Sequence, residues 1–300
     1  MNIEDIIYTP LQEEAIANVD VQAQEQPLDI SKYDYPIEID IKNLSSYPNE
    51  VFALVRRNGF GGSDSSVLLG VNPYKTIDEL IKEKATDTLS EEEKAIGEKV
   101  AVRKGNDLEP LIIDKFHNFF KVKTLKPTDM YRFKEYPYLT MNFDGVAVPD
   151  NAPMYPVEIK VVTAYGEKHY NPAKAIFREA EGFFPYPENV ADSNLSIQSK
   201  AAHYGIPPYY YTQLQMEMMA LNAEFGLLTA MFDKSWRLAT FFVYKDAAVQ
   251  NQIILNGYKA WEKVEMLRAK NGVDLSLESI LARTSSPQSE NMESKDFLTS

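Results

Sequence analysis

The sequence contains no cysteine, only three histidines, and no apolar run long enough to span a bilayer. Without cysteine the chain has no disulfides, thiol nucleophiles or thiolate metal sites, which is typical of a reducing cytoplasm. The histidines, His117, His169 and His203, have no close spacing, which argues against a histidine-based zinc site or a Ser-His-Asp triad. A metal site in this chain would therefore use oxygen ligands, which favour Mg²⁺ or Mn²⁺.

Basic residues are outnumbered, and the net charge of −13 argues at first against a nucleic-acid partner. The excess of acid is concentrated at the two ends. Residues 1–50 contain eleven acidic and two basic side chains, whereas residues 51–271 contain 28 acidic and 27 basic side chains. Because the central part is nearly neutral, the overall charge does not exclude DNA binding.

The same distribution predicts three segments. Residues 1–45 are acidic and without clear periodicity, so we expect them to be disordered or loosely packed, with a short strand at PIEIDI. Residues 46–271 form the folded domain, and residues 272–300 are expected to be a disordered tail. The first residues, MNIEDIIYTP, lack the basic and apolar regions of a signal peptide, so we expect a cytoplasmic protein without a membrane partner.

Hydrophobic periodicity predicts an α+β fold, with a central mixed sheet flanked by helices. The stretch 163–206 contains scattered Pro and Gly residues and is expected to be irregular. Helices are expected over 49–57, 63–69, 76–85, 107–120, 207–222 and 246–270. Strands are expected over 121–126, 130–135, 139–148, 155–162, 226–232 and 237–244.

The strand PVEIKVV carries Glu158 and Lys160 on one face. The plainer interpretation is an ion pair on a half-exposed sheet, which would contribute little. Asp144 stands fourteen residues earlier, however, before a glycine that interrupts its own strand. Two converging carboxylates would repel each other unless a cation lay between them, and Mg²⁺ is suited to that place. Lys160 could then hold a water or stabilise charge on a phosphate.

Two further polar residues are candidates for the same site. Glu109 follows Asn106 and Asp107, either of which could cap a helix, and Pro110 would then lie in the first turn. The alternative for Glu109 is a first-turn acid that interacts with the helix dipole. Gln213 lies on the predicted helix 207–222 in one stripe with Glu217, and its amide could orient a water or bind a phosphate. The alternative is a polar residue at the edge of a core helix.

The stretch RRNGFGGSDSS combines three glycines with a helix start. Gly59, Gly61 and Gly62 would let the backbone approach a ligand, and Ser63 or Asp64 would open the helix. With Arg56 nearby, the backbone amides of such a turn can bind an anion. The alternative is a glycine-rich turn with a good helix cap.

Five motifs follow one another with compatible spacing: R-x6-S-D, G-x3-E-P, F-D-G, E-I-K and Y-x-x-Q-L-Q. This order resembles the YqaJ-like viral recombinases, which belong with the lambda-type exonucleases in the PD-(D/E)xK nuclease superfamily. The resemblance covers about residues 50–245, and Phe143 stands where that superfamily often has a proline. It implies a restriction-endonuclease-like core and makes residues 46–271 the nuclease domain.

The resemblance also implies an activity: a Mg²⁺-dependent exonuclease, with Mn²⁺ as a substitute, that degrades one strand of double-stranded DNA from an end, 5′ to 3′, in phage-type recombination. The expected partners are a single-strand annealing protein and further copies of the chain in a trimer. The implied metal ligands are Glu109, Asp144, Glu158 and the Ile159 carbonyl. The implied catalytic residues are Lys160, Glu158, Asp144 and Gln213, and Arg56 and Ser63 are implied to contact a 5′-terminal phosphate.

Two other functions stay open on the residues alone. The first is a structure- or site-specific endonuclease on the same core, although the sequence has no separate module for reading DNA sequence. The second is a catalytically silent protein that binds DNA ends or regulates a partner. The acidic residues 1–45 could also occupy the DNA channel, although a solubilising tail is the plainer interpretation.

Overall fold

A computed structural model describes residues 25–95, 99–179, 182–184, 186–191 and 193–284. Within these residues the α-helices are α1 (Asn49–Val55), α2 (Ser65–Leu68), α3 (Ile77–Lys84), α4 (Glu91–Lys94), α5 (Val100–Phe120), α6 (Ile197–Tyr204), α7 (Pro208–Ala220), α8 (Ala247–Asn271) and α9 (Leu277–Thr284). The strands are β1 (Ile37–Ile41), β2 (Thr124–Leu125), β3 (Met130–Phe133), β4 (Thr140–Met141), β5 (Val146–Ala147), β6 (Tyr155–Val162), β7 (Phe177–Glu179), β8 (Gly182–Phe184), β9 (Phe225–Phe232) and β10 (Arg237–Tyr244).

The central sheet has five strands in the order β10, β9, β6, β5, β2. Strand β6 pairs in parallel with β9 along six residues, from Val157 opposite Leu227 to Val162 opposite Phe232. All the other pairings in this sheet are antiparallel. The expected α+β fold with a mixed central sheet flanked by helices is therefore confirmed.

Helices cover both faces of the central sheet. The side chains of β6 alternate between these two faces, as predicted. Val157 and Ile159 face the core that the apolar side of α5 covers, where Leu111, Ile112 and Phe116 are buried. Glu158 is on the opposite face, against α7, where Leu214 and Met218 belong to the larger core. Because both faces are covered, a polar side chain of β6 is enclosed instead of exposed.

The sequence around Asp144 does not form one continuous strand. The predicted strand 139–148 is divided between β4, which pairs with β3 in a second sheet, and β5, which pairs with β6. Gly145 lies just before β5, where a methyl group would be only 2.9 Å from the Val157 carbonyl oxygen. This close approach requires glycine, and the chain on its N-terminal side leaves the sheet.

Helix α5 begins at Val100, seven residues before the predicted start. The predicted cap at Asn106 or Asp107 is therefore wrong, and Pro110 is inside the helix. A proline inside a helix removes one backbone hydrogen bond, and here the helix continues past Pro110 to Phe120. Glu109 consequently lies in the middle of α5, so it is not a first-turn acid at the helix dipole.

The stretch 163–206 is less irregular than expected. It contains α6 and a hairpin of β7 and β8. Ser196 caps α6 by accepting a hydrogen bond from the Ser199 amide, and Gly205 ends the helix at φ +79°. Ser196 and Gly205 are ordinary helix caps. The scattered glycines and prolines of this stretch had suggested an irregular segment instead of a helix.

The acidic N-terminal segment is packed where the structure describes it. The strand expected at PIEIDI is present as β1, which pairs antiparallel with β3. Leu28 and Tyr35 are buried, and the Tyr131 hydroxyl accepts a hydrogen bond from the Leu28 amide. Residues 25–45 therefore differ from the predicted loose segment, because their few apolar side chains join the core. Residues 1–24 lie outside the described residues.

The C-terminal segment also differs from the prediction over residues 272–284. Helix α9 buries Ile280 completely, in a cluster that contains Leu275 and residues of α1. The apolar residues of α9 recur at helical spacing, so this part of the tail has a face to bury. Residues 285–300 lie outside the described residues. No helix in the described part of the chain is long and apolar enough to cross a membrane.

Candidate active site

Strand β6 places Glu158 and Lys160 side by side on the face that α7 covers. Glu158 is only 1% exposed, whereas the Lys160 side chain is 22% exposed. The Lys160 ammonium forms an ion pair with Glu158 Oε1. The interpretation of these residues as a surface pair is therefore wrong, because α7 encloses the face.

The interruption before β5 brings Asp144 to the same place. Its Oδ2 accepts hydrogen bonds from Lys160 Nζ at 2.9 Å and from the Ile159 amide at 3.3 Å. Strand β5 pairs with β6 only at Pro156 and Tyr155, so its backbone no longer accompanies β6 at this point. The carboxylate of Asp144 thus accepts a hydrogen bond from the Ile159 amide, at a position of β6 past the residues that pair with β5.

Helix α7 supplies an amide and a further acid. Gln213 Nε2 donates to Glu158 Oε1 at 2.6 Å and to Glu217 Oε1 at 3.1 Å. Glu217 is 1% exposed and was not among the predicted site residues. Its only sequence signal is the spacing of four residues from Gln213, which places both on one side of the helix. We call Asp144, Glu158, Lys160, Gln213 and Glu217 the carboxylate cluster.

Glu109 approaches the carboxylate cluster from α5 but does not join it by a hydrogen bond. Its Oε1 lies 3.3 Å from Lys126 Nζ, which is also 3.7 Å from Glu25 Oε1. Asp144 and Lys160 are close enough to act electrostatically on Glu109. The structure therefore places Glu109 beside the cluster, with Lys126 as a partner that the sequence did not indicate.

Burial and mutual repulsion raise the pKa of most acids at this site. Burial, followed by the charge of Asp144, raises the pKa of Glu109 to about 7. Burial likewise raises the pKa of Glu217 to about 7 and that of Glu158 well above its usual value. Burial acts most strongly on Asp144 and would raise its pKa, but the charge and hydrogen bond of Lys160, together with the hydrogen bond from the Ile159 amide, lower that pKa below its usual value.

Lys160 is held in its charged form by the same neighbours. Burial acts to lower the pKa of Lys160, but the charges of Asp144 and Glu158 outweigh it and raise the pKa. The Lys160 ammonium also lies 5.4 Å from the centre of the Tyr210 ring, within the range of a cation–π contact. A single lysine thus lies among several acids, which leaves the cluster with an excess of potential negative charge.

The residues at this site are suited to a divalent cation. Oε2 of Glu158 is buried without a hydrogen-bond partner, which is costly for a carboxylate oxygen unless it binds a ligand. Oxygen donors of this kind are those that Mg²⁺ and Mn²⁺ prefer. As placed, no group of three or more acidic or histidine side chains within the described residues is arranged around a metal position. Instead, the Lys160 ammonium lies between the carboxylates of Asp144 and Glu158 and provides the positive charge there.

The glycine-rich turn lies directly against the carboxylate cluster. A methyl group at Gly62 would be 3.2 Å from Gln213 Cγ and 3.6 Å from Glu217 Oε1. Arg56 Nη2 lies 3.5 Å from Ser63 Oγ, so the structure brings these two predicted residues together. Ser63 is exposed and Arg56 is half-buried.

A buried lysine that the sequence did not indicate supports this turn. Lys84 Nζ lies 2.8 Å from Asp64 Oδ2 and donates to the Arg56 carbonyl oxygen at 2.9 Å. Asp64 Oδ2 in turn accepts a hydrogen bond from the Gly61 amide at 2.9 Å. Asp64 therefore stabilises the turn through the Gly61 amide, and Lys84 bridges the Asp64 carboxylate and the Arg56 carbonyl oxygen.

Comparison with known proteins supports the motif order. A family model described as the YqaJ-like viral recombinase domain matches residues 52–224, which is more than half of the chain. The chain belongs to the YqaJ-like viral recombinase family. All the motifs quoted above lie inside the matched range, with Arg56 near its start and Gln213 near its end.

The relatives of this YqaJ-like chain are distant. YqaJ of Bacillus subtilis strain 168, an uncharacterised protein, is 29% identical over 133 residues, which are 44% of this chain and 39% of that protein. An alkaline exonuclease from Laribacter hongkongensis is 13% identical, with a TM-score of 0.45, over 73% of this chain and 96% of that one. A phage-related exonuclease from Haemophilus somnus is 14% identical, with a TM-score of 0.40, over 71% and 96%.

Proposed function

We propose that this protein is a metal-dependent deoxyribonuclease that hydrolyses double-stranded DNA from an end, 5′ to 3′, in phage-type recombination. The observation that carries the proposal is the carboxylate cluster, where the buried Glu158 and the partly buried Asp144 both form ion pairs with Lys160, and Glu158 Oε2 has no partner. Membership of the viral recombinase family supports the same activity.

The metal of this proposal is Mg²⁺, with Mn²⁺ as a substitute. Glu109, Asp144, Glu158 and the Ile159 carbonyl would hold it, and Glu217 is close enough to Glu158 to take part or to fix that carboxylate. When bound, the cation polarises a phosphoryl oxygen and lowers the pKa of a coordinated water. It would also relieve the repulsion that raises the pKa values of Glu109, Glu158 and Glu217.

The chain's own residues then bind and orient the scissile phosphate. Lys160, charged and only 22% exposed, would lie against the phosphate oxygens, where charge develops as the bond breaks. Gln213 would fix the positions of Glu158 and Glu217 through its two hydrogen bonds. Preorganised groups of this kind act before the reaction starts, so little reorganisation accompanies it.

The end specificity would come from the glycine-rich turn. Arg56 and Ser63 would bind the 5′-terminal phosphate, and Gly62 keeps this turn in contact with the side chain of Gln213. A phosphate held there would place the adjoining strand at the carboxylate cluster. Arg56 would contribute charge-assisted hydrogen bonds, the stronger class of such contacts.

The biological setting is also a proposal. Family membership supports action beside a single-strand annealing protein in the cytoplasm of a phage-infected bacterium, and a trimer of this chain is the expected assembly. Light scattering of the purified protein tests the trimer, and co-purification with a candidate annealing protein tests the partner.

The activity is tested by digestion of linear and covalently closed duplex DNA in Mg²⁺, with EDTA and Lys160→Ala as negative arms. Lys263→Ala, which changes an exposed lysine of α8, is the matched control for loss of a positive charge. Progressive loss of only the linear DNA in wild type and Lys263→Ala, and not in the negative arms, is the expected result.

The other outcomes identify the competing functions. Nicking or cutting of the closed circle by wild type would support a structure- or site-specific endonuclease. Binding of DNA ends without cleavage in Mg²⁺ or Mn²⁺ would support a catalytically silent binding protein. Either of these results overturns the exonuclease proposal.

A further inference from the structure

Helix α1 ends in the backbone that leads into the glycine-rich turn. One turn of 3-10 helix, Arg56–Asn58, continues α1, and Gly59 follows it in an extended conformation. The last carbonyl groups of a helix lack partners within the helix and carry partial negative charge. Such an end is unfavourable beside a phosphate, yet the turn next to it carries Arg56 and Ser63, the proposed contacts of a 5′-terminal phosphate.

Three cationic side chains offset this disadvantage. Each of three successive carbonyl oxygens at the helix end accepts a hydrogen bond from a different one, and the donors come from α3, β3 and α8, which are far apart in sequence. Charge-assisted hydrogen bonds are stronger than those between neutral groups, so they fix this backbone firmly. The pairs are Lys84 Nζ with the Arg56 carbonyl oxygen at 2.9 Å, Arg268 Nη2 with that of Arg57 at 2.8 Å, and Arg132 Nη1 with that of Asn58 at 3.0 Å.

Two of these three cations are neutralised by an acid. Lys84 Nζ lies 2.8 Å from Asp64 Oδ2, and Arg132 Nη2 lies 2.6 Å from Asp40 Oδ2. In each pair the positive charge is cancelled at close range by the negative one, so little of it acts beyond the pair. Lys84 and Arg132 therefore contribute hydrogen bonds to the helix end but little net charge.

Arg268 of α8 is not neutralised in this way. Its side chain is half-buried, and within the described residues the hydrogen bonds of its guanidinium go to neutral oxygens. Besides the Arg57 carbonyl, Nη2 donates to the Lys84 carbonyl oxygen at 2.8 Å, and Nη1 donates to Asn58 Oδ1 at 3.3 Å. Because an arginine stays charged at neutral pH, a net positive charge remains beside the backbone of the turn.

Trp261 and Glu265, also on α8, complete the surroundings of Arg268. The guanidinium carbon lies 4.9 Å from the centre of the Trp261 ring, within the range of a cation–π contact. That ring meets Phe60, inside the glycine-rich turn, edge to face at 5.4 Å. Glu265 attracts Arg268 electrostatically, but it accepts its hydrogen bond from Trp261 Nε1 at 3.0 Å. Helix α8 thus supports the turn through an aromatic ring as well as through a guanidinium.

We propose that Arg268 is a positioning residue for recognition of the 5′-terminal phosphate. It holds the backbone that leads to Arg56 and Ser63, and its positive charge favours an anion there. The family model matches residues 52–224, so Arg268 lies outside the matched range and outside every motif quoted above. This inference rests on the proposed function, which places the terminal phosphate at Arg56 and Ser63.

Binding of two kinds of DNA end in EDTA tests the inference without cleavage. Hairpin duplexes with a fluorophore in the loop carry either a 5′-phosphate or a 5′-hydroxyl at their single open end, and anisotropy gives both dissociation constants. Their ratio is the phosphate preference. Wild type should prefer the phosphorylated end. Arg268→Gln should reduce this preference by about tenfold, because the amide lacks the charge and the forked hydrogen bonds, and should bind the hydroxyl end as wild type does.

Three variants separate positioning from a loss of stability. Arg268→Lys keeps the charge without the fork and should show an intermediate preference; it decides the question if Arg268→Gln does not fold, with an unchanged preference as the contradicting result. Arg237→Gln removes an exposed arginine at the start of β10 and should keep the preference of wild type. Asp246→Asn, which is expected to destabilise the fold elsewhere, should also keep it at temperatures where the variant is folded.

The outcomes distinguish this inference from the proposed function. If folded Arg268→Gln keeps the preference, or binds both ends more weakly by the same factor, Arg268 only supports the fold and the inference alone is overturned. If wild type binds the two ends alike, the phosphate site of the proposed function falls, and this inference falls with it. If the preference depends on Arg268 but wild type never cleaves DNA in Mg²⁺ or Mn²⁺, the inference stands and the nuclease proposal falls.

Discussion

Helix α7 has a buried charged group on each of two sides, and the two groups differ in how completely they are satisfied. Gln213 and Glu217 belong to the carboxylate cluster. Tyr211 and Gln215 belong instead to a group around Lys200 and Asp246. Two residues of helix correspond to a rotation of roughly 200°, so the two pairs point in opposite directions.

The group around Lys200 and Asp246 is balanced. Asp246 Oδ2 accepts hydrogen bonds from Lys200 Nζ at 2.7 Å and from the Tyr211 hydroxyl at 2.8 Å, and Oδ1 accepts from the Val249 amide at 3.2 Å. Lys200 donates further to the Ala191 carbonyl oxygen at 2.7 Å. One positive and one negative charge meet, and both have hydrogen bonds.

The carboxylate cluster also contacts α7, but its acidic side chains outnumber its single lysine. Several acids surround Lys160, and Glu158 Oε2 is buried without a partner. Burial and repulsion raise the pKa of Glu158 and Glu217. The contrast teaches that burial of charge alone does not mark a functional site. A site that needs a cation is distinguished by excess acid and unsatisfied oxygen atoms.

The largest expected effect is that of Glu158→Gln on activity. The amide cannot replace a charged ligand, so the rate of DNA cleavage should fall by at least about a hundredfold. The metal-free protein should lose no stability, because the change removes one of the crowded negative charges. Cleavage assays and thermal unfolding in EDTA measure the two effects. A large loss of stability without loss of activity would show that Glu158 has a structural role like that of Asp246, and it would contradict the contrast between the two groups.

The second effect is that of Asp246→Asn on stability. This change leaves the Lys200 ammonium buried without its counterion, and it should reduce the free energy of unfolding by about 3–5 kcal/mol. Urea unfolding measures it, and the variant should still cleave DNA at temperatures where it is folded. Glu224→Gln breaks an exposed pair with Lys245 and should cost at most about 1 kcal/mol. Equal losses from both variants would show that the buried pair is not special.

The third effect is stabilisation by Mg²⁺. Added at about a hundred times its dissociation constant, the ion should increase the free energy of unfolding of wild type by about 2.7 kcal/mol. Asp246→Asn should keep this increase, whereas Glu158→Gln should lose most of it. Thermal unfolding with and without the ion measures the increase. An increase in Glu158→Gln equal to that of wild type would place the metal elsewhere.

The remaining effect is the dependence of metal-free stability on pH. Glu109 and Glu217 have pKa values of about 7 in the folded chain against 4.5 when unperturbed. The folded state therefore binds more protons between these values, so these acids reduce stability as the pH rises from about 4.5 through 7. Urea unfolding in EDTA should show a shallower decline for Glu217→Gln than for wild type. Parallel pH profiles would contradict the raised pKa of Glu217.

The sequence predicted the strand of Glu158 and Lys160, since strict alternation of apolar residues depends only on local geometry. It also predicted that Asp144 would meet this strand, because the fourteen residues between Asp144 and Glu158 suit two neighbouring strands joined by a turn. It missed Glu217, because an acid four residues from a glutamine on a core helix is common. Lys84 and Lys126 were missed for another reason: each meets its partner only through chain segments distant in sequence.

The roles of individual side chains stay predictions: the metal ligands Glu109, Asp144, Glu158 and the Ile159 carbonyl, the catalytic Lys160 and Gln213, and the phosphate contacts Arg56 and Ser63. The structure brings the acids, Lys160 and Gln213 into hydrogen-bonding distance or electrostatic reach of one another. It places Arg56 beside Ser63 on the turn that contacts Gln213. The experiments above test what these residues do.

The amino-acid sequence by itself indicated the family through the order of its motifs, and it predicted the α+β class through its hydrophobic periodicity. It also named the side chains that could take part in chemistry. These features depend on spacing along the chain, which any reader of the sequence can measure. Only the tertiary structure decided that Glu158 is enclosed. It also decided that α7 meets the carboxylate cluster on one side and the satisfied pair of Lys200 and Asp246 on the other. Burial and charge balance depend on which segments meet in space, and neighbours along the chain do not specify that.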